Sequence, residues 1–360
     1  MKRFIKIFII NITIFLFLVI IIELIFGGWF SDRNKLNNLG ILRNAKLQFP
    51  LEGLYPDSTV YVNYTRDKFG LRGKNSFNDP GKIDILTVGG STTEQRYIDD
   101  SRTWQAVLEN VFKQNDKNFI VSNAGVEGQS TYGHIKDFEI WFPCIPGLKP
   151  KYVLFYVGIN DFYRFSDDPK FQYFDGKKNS LRNIIKNNSC FVNLYRRIRG
   201  AMKAKKVRIG HQKTIFSNYT YIEKGIGDTN LVNYFNRDQI IYFKKRLIRL
   251  VELTRQLRAE PVFITQPTIK YEFIDGKLFG SSYEEELKGF KYNGVDFYHL
   301  LSSINKAINE VAGNYNITVV ELTNLPIWEF TDFYDWIHMT PTGEVKLGNE
   351  IYNQLKNKIK

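Results

Sequence analysis

The chain has 360 residues, 43% of them hydrophobic and 24% charged, and carries a formal net charge of +13. That length supports one large core or two modest ones, and the apolar content excludes a wholly disordered chain. Eleven Pro and 26 Gly exclude a collagen-like repeat, while two Cys and four His rule out a disulfide-dense scaffold and leave little for an imidazole metal centre, so no metal or cofactor is expected.

Lys2, Arg3 and Lys6 precede an apolar run over 7–22; Glu23 interrupts it, and apolar residues resume over 24–30. A spanning helix needs about 20 residues. Residues 27–30, Gly-Gly-Trp-Phe, offer no A-x-A-like cleavage site. The expectation is an uncleaved transmembrane signal anchor over 1–30, single-pass in the inner or plasma membrane. The basic terminus predicts that it stays in the cytoplasm and that the rest of the chain is extracytoplasmic.

Residues 31–81 are mixed and aromatic, punctuated by Pro50, Pro56 and Pro80, and read as an ordered stem. From residue 82 the pattern changes. Short apolar runs at 85–88, 119–122, 152–157, 261–265 and 317–322 predict five strands. Helical spacing falls at 103–113, 131–142, 240–257, 300–311 and 341–355. Strands alternating with helices predict an α/β domain over 82–360: a three-layer α/β/α sandwich on a five-stranded parallel sheet. A segment of about 163–235 breaks the rhythm and is far longer than an ordinary connection. Within it, residues 177–213 hold twelve Lys or Arg and no acid. Residues 1–30 contribute +2, so the remainder is nearly neutral at −1. An anionic surface or ligand is therefore expected at 177–213. Nucleic acid is not, because no binding motif accompanies the cluster.

Ligands bind at the carboxyl ends of strands in open parallel sheets. The polar residues that follow the strands are Ser91 after Gly89-Gly90, Gly128 in Asn-Ala-Gly-Val-Glu-Gly, Asn160 in Gly-Ile-Asn-Asp, and Asp335 with His338 in Asp-Trp-Ile-His. A Ser hydroxyl is a poor nucleophile until a base takes its proton, and His338 held by Asp335 supplies one. Backbone N–H groups of Ser91 and Gly128 and the Asn160 amide supply donors for a developing oxyanion. A second Asp-x-x-His, at Asp296 and His299, opens a helix and is read as a capping Asp with an ordinary His. Gly-Gly-Ser-Thr-Thr lacks the Lys of a phosphate loop.

In order and spacing these blocks resemble the SGNH hydrolases, a subset of the GDSL-type esterases and lipases, over about 82–358. The resemblance implies an SGNH/flavodoxin-like sheet, a serine nucleophile at Ser91, and block residues Gly128, Asn160 and Asp335-x-x-His338. It implies hydrolysis of an ester, with the acetyl group of an envelope or exported carbohydrate as the expected substrate. O-acyl transfer to a cell-surface polysaccharide is the alternative, and a non-catalytic glycan-binding domain a second one. The Gly-Asp-Ser-Leu stretch reads Gly-Gly-Ser-Thr here. Residues 65–74 resemble a lead-in of some members and are expected to be structural. Glu127 and Asp161 read as structural neighbours of the site, and His134 and His211 as solvated or packing residues. Tyr163, Phe165, Tyr173 and Phe174 read as packing within the insertion. Cys144 and Cys190 are left either paired or free.

Overall fold

The computed structural model describes residues 2–30, 33–51, 53–56, 61–73, 79–163, 181–207, 211, 213–227, 231, 233, 235, 239–287, 289–323 and 325–360. The chain forms two compact units. The smaller holds Met1–Ile41 and Pro169–Gly210, and the larger Leu42–Asp168 and His211–Lys360. The stretch read as a stem thus contributes to the larger unit from Leu42 onward, and the insertion is divided between the two. Phe165, Tyr173, Phe174 and the Tyr163 side chain lie outside the described residues.

In the smaller unit, the helix Lys2–Phe26 is long and apolar enough to cross a membrane, which makes it a candidate anchor or signal sequence. Two further helices, Leu181–Asn188 and Cys190–Val207, carry most of the basic cluster. Cys190 is a free thiol, and so is Cys144 in the larger unit.

The larger unit opens with an antiparallel pair, β1 (Ala45–Pro50) and β2 (Tyr61–Arg66). Then come β3 (Ile85–Gly89), β4 (Val121–Asn123), β5 (Tyr152–Tyr156), β6 (Tyr221–Ile222), β7 (Glu260–Ile264), β8 (Tyr271–Ile274), β9 (Lys277–Ser281), β10 (Glu285–Leu287), β11 (Phe290–Tyr292) and β12 (Thr318–Val320). The main sheet has five parallel strands in the order β12-β7-β5-β3-β4, which matches the expected fold. The strand order reverses between β3 and β5, the switch point at which doubly wound sheets bind ligands. Small antiparallel sheets β6-β9-β8 and β10-β11 complete the unit.

Every residue of β3 is buried, as a strand covered on both faces requires. On one face Ile85, Leu154, Tyr156, Val262 and Ile264 pack with Trp104, Leu108 and Phe112 of the helix Trp104–Gln114. Leu347, Ile351 and Leu355 of the helix Pro341–Leu355 join the same core. On the other face Phe155 meets Phe138 and Phe263 at ring separations of 6.0 and 5.7 Å.

Helix limits follow local chemistry. Thr340 caps Pro341–Leu355, with Pro at its first position. The helix expected over 300–311 runs from Gly294 to Tyr315. Asn293 Oδ1 accepts the N–H groups of Val295 and Asp296, and Asp296 returns a bond to the Asn293 N–H, so a capping box starts it early. The helix expected over 131–142 is regular only over Thr131–Lys136, then widens into a π turn and ends at a 3₁₀ turn containing Pro143.

The helices Trp104–Gln114 and Pro341–Leu355 approach each other at Gly348. A Cβ there would lie 2.7 Å from Val107 Cγ1 and 2.9 Å from the Trp104 carbonyl oxygen. Gly348→Leu is therefore expected to cost about 1–3 kcal/mol of stability through overpacking, read as a lower denaturation midpoint. An unchanged midpoint would mean that the two helices do not meet this closely.

Candidate active site

The carboxyl end of β3 is where the backbone comes closest to its neighbours. A Cβ at Gly89 would sit 2.4 Å from the Tyr156 carbonyl oxygen, and one at Gly90 would sit 2.1 Å from Asn160 Nδ2. Only glycine allows this approach. Ser91 follows at once, as the first residue of the one-turn helix Ser91–Glu94, and is 8% exposed. Gln95 closes the turn in a left-handed conformation, its N–H on the Ser91 carbonyl at 2.7 Å.

His338 comes from a tight loop before the last helix. Phe333 and Met339 bridge across its base, and the Tyr334 N–H donates to the His338 carbonyl at 3.0 Å. Inside the loop Asp335 Oδ1 accepts the N–H groups of Ile337 and His338, at 2.9 and 2.7 Å. Its Oδ2 lies 2.7 Å from His338 Nδ1, and His338 Nε2 lies 2.7 Å from Ser91 Oγ. Burial alone would raise the Asp335 carboxyl, but His338 and the two backbone donors hold it below the ordinary carboxylate value. The arrangement keeps an ionised carboxylate on one imidazole nitrogen and a hydroxyl on the other.

Gly128 has φ +70°, the left-handed region in which glycine is at ease. The N–H groups of Ser91 and Gly128 have no acceptor among the described residues. Asn160, in the short helix Ile159–Tyr163, donates one amide proton to the Gln129 carbonyl at 2.9 Å and has a second to offer. The structure thus brings Ser91, Asp335 and His338 into one chain of contacts, with Asn160 beside Gly90 and next to the turn that carries Gly128.

His211, expected to be a solvated or packing residue, packs, and it does so against the site itself. Its ring lies 4.0 Å from the His338 ring at 31°. Nδ1 is 2.6 Å from the Tyr334 hydroxyl, and Nε2 faces Glu127 at 3.6 Å. Burial, with Asp335 nearby, pushes the Tyr334 phenol well above its ordinary range, so its hydroxyl stays protonated beside Nδ1. The Tyr334 ring also stacks on His338, 5.7 Å away at 7°. A lone His at the end of a basic insertion carries no motif, so nothing in the sequence marked it. Its spacing from His338 is purely tertiary. Glu127 also pairs with Arg96. Asp161 is structural, accepting the Thr131 N–H at 3.0 Å and pairing with Arg246 at 3.1 Å.

His211, Asp335 and His338 bring one potential ligand atom each within 4.8 Å of one another. Both His338 nitrogens, however, already have partners in Asp335 Oδ2 and Ser91 Oγ. The set fits proton transfer better than metal binding.

The lead-in at 65–74 braces the site. Buried Arg66 donates to the Tyr64 hydroxyl and to the Gly70 and Gly125 carbonyls at 2.6–2.7 Å, and pairs with Glu94 at 3.2 Å. Buried Arg72 donates to the Ile98 carbonyl at 2.6 Å and pairs with Asp100 at 3.5 Å. These two side chains tie the loop after β4 to the turn after β3. Beneath Ser91 the Glu344 carboxylate accepts the Trp104 N–H at 2.9 Å and the Gln95 amide at 2.6 Å, and burial raises its carboxyl well above the ordinary range.

No curated protein sequence matches the chain. Among solved structures it is similar to a lipolytic protein of the G-D-S-L family from Veillonella parvula: 13% identity, TM-score 0.43, covering 77% of this chain and 100% of that one. It is similar to an acetylxylan esterase from Geobacillus stearothermophilus, at 12% identity, TM-score 0.42, and 76% and 94% coverage. A psychrotrophic esterase from a Pseudoalteromonas species gives 10% identity, TM-score 0.40, and 76% and 97% coverage. Residues 87–345 match the sequence profile of one family and include every block described above. The chain belongs to the GDSL-like lipase/acylhydrolase family, and is an SGNH-type hydrolase.

Proposed function

We propose that the chain is a membrane-anchored serine esterase that removes short acyl groups, acetyl first among them, from an envelope or exported carbohydrate. The observation that carries this reading is the unbroken path from the Asp335 carboxylate through His338 to Ser91 Oγ, with 2.7 Å at each step. Ser91 Oγ attacks the ester carbonyl as His338 Nε2 takes its proton. Asp335 holds the imidazole by Nδ1 and stabilises the imidazolium. The Ser91 and Gly128 N–H groups and the Asn160 amide meet the oxyanion, where each donor is typically worth about 3 kcal/mol. His338 then protonates the departing alcohol, leaving an acyl-serine. A water gives its proton to His338, attacks the acyl carbonyl, and releases the acid and free Ser91.

Two spaces support the substrate class. The small space beside Ser91, lined by Thr92, Ile98, Tyr156 and Leu347 among others, holds about 10 Å³, roughly one water. That suits a short acyl group and not a fatty chain. On the other side of His338 a cleft of about 450 Å³ opens, lined by Tyr219, Tyr283 and Trp336 with Lys270 and Glu285. Lys270 is buried and paired with Glu285. Aromatic faces beside a fixed donor and acceptor suit a hydroxylated ring; an alkyl chain there would cover an ion pair without compensating it. A saccharide hydroxyl in place of water would make the same chemistry acyl transfer. The basic N-terminus supports an extracytoplasmic site.

Full-length protein in detergent is expected to hydrolyse p-nitrophenyl acetate and to take up a serine-directed phosphonate, with both lost in Ser91→Ala. Labelling that survives Ser91→Ala would remove the assignment. With an acetylated saccharide, free acetate marks an esterase, and acetyl gained by an added glycan marks the transferase.

His211→Ala removes one wall of the base. It is expected to lower kcat by roughly tenfold with little change in KM, and His211→Phe, which keeps a ring there, should recover most of the loss. Superimposable pH–rate profiles for all three proteins would show that the ring does not position His338.

A further inference from the structure

Within the smaller unit, Glu23 sits near the end of the apolar helix Lys2–Phe26 and is fully engaged. It accepts the Trp29 indole N–H at 2.9 Å, the Ser189 hydroxyl at 2.5 Å and the Cys190 N–H at 3.0 Å. The Gly28 N–H donates to the Asn188 carbonyl at 2.8 Å. One carboxylate near the end of the apolar helix therefore caps the helix Cys190–Val207 and fixes where it begins.

That helix is unusual on its apolar side. Phe191, Leu194, Tyr195 and Ile198 are 41–62% exposed. They recur at i, i+3, i+4 and i+7 and so share one stripe about 100° wide. In the helix Leu181–Asn188, Leu181 and Ile185 repeat the pattern one turn apart and are 78% and 48% exposed. Every charge on the two helices is positive: Arg182 and Lys186 on the first, and Arg196, Arg197, Arg199, Lys203, Lys205 and Lys206 on the second. An exposed apolar stripe on helices whose sequences carry only cationic charge suits the boundary between acyl chains and anionic headgroups. The Glu23 cap starts the longer helix beside the end of the membrane-spanning candidate, where that boundary lies.

We infer that the helices Leu181–Asn188 and Cys190–Val207 form an interfacial foot, lying in the plane of an anionic bilayer with Phe191, Leu194, Tyr195 and Ile198 in the acyl region. The inference rests on the anchor reading above. The foot adds a second attachment to the spanning helix and makes it selective for acidic lipid. It also accounts for most of the net charge without a nucleic acid.

The test uses the full chain in nanodiscs of phosphatidylcholine alone or mixed with phosphatidylglycerol. Cys144 and Cys190 are replaced by Ser, and a nitroxide is placed in turn at Leu194→Cys, Ile198→Cys and Asn193→Cys. Collision with oxygen reports lipid, and collision with a nickel chelate reports water. The expected result in the anionic disc is oxygen access at 194 and 198 and nickel access at 193. Arg196→Gln with Arg199→Gln should shift 194 and 198 at least several-fold toward nickel. Nickel access at all three positions would overturn the foot, and so would shielding from both reagents, which marks a second copy or another protein surface. Protection by added heparin in place of anionic lipid would assign the cations to an acidic polysaccharide and overturn it too. Recovery of wild type in the aqueous phase without detergent would instead overturn the anchor. Phosphonate labelling of Ser91 in each variant verifies that the larger unit is folded.

Discussion

The site depends on the absence of two side chains. At Gly89 and Gly90 the end of β3 lies against the Tyr156 carbonyl and the Asn160 amide more closely than any Cβ permits. A methyl group at Gly89 would push β3 from β5 at the switch point of the sheet, and one at Gly90 would displace the Asn160 amide. The Ser-bearing turn, the donor-bearing helix and the loop carrying His338 then have to close on this point from three directions. Parallel strands with their carboxyl ends on one edge make that possible.

Holding the turns there requires buried charge. Arg66 and Arg72 are nearly inaccessible, and they serve carbonyls at Gly70, Ile98 and Gly125 as well as the carboxylates of Glu94 and Asp100. A buried ion pair is a weak source of stability, because desolvation offsets the attraction. Its value here is geometric. A guanidinium directs several donors in one plane, so each Arg sets the spacing of loops that share no strand. Removing Arg66 would leave Glu94 with the more distant Arg96 at 3.9 Å, and removing Arg72 would take away the cation 3.5 Å from buried Asp100.

The environment of His338 follows the same logic on a smaller scale. The loop from Phe333 to Met339 is closed by its own backbone, and Asp335 spends one oxygen on that loop and the other on the imidazole. Tyr334 and His211 then cover the ring. Tyr334 and Glu127 hold the His211 ring by its two nitrogens, and the ring stands 4.0 Å from that of His338.

Much of this was legible in the chain. β3, β5 and β7 are almost wholly buried, so each appears as an apolar run, and the residues after β3, β4 and β5 must share an edge. The two Asp-x-x-His stretches separated on position alone: Asp296 belongs to a helix start and Asp335 to a loop. What the pattern could not reveal are contacts whose partners lie far apart in the chain. Arg66 is paired with Glu94, and His211 with Glu127, Tyr334 and His338, across separations that carry no period. The hairpin β1–β2 was hidden for a related reason, since β1 is mostly exposed and the alternating buried positions of β2 include an Arg that hydropathy does not mark as inward-facing. The sequence by itself determined the sheet, the edge on which its polar residues gather and the apolar N-terminal helix, because periodicity and burial are local properties of a chain. Only the tertiary structure decided which charges are buried together and which second imidazole stands against the first, because those depend on distances that exist only once the loops have closed.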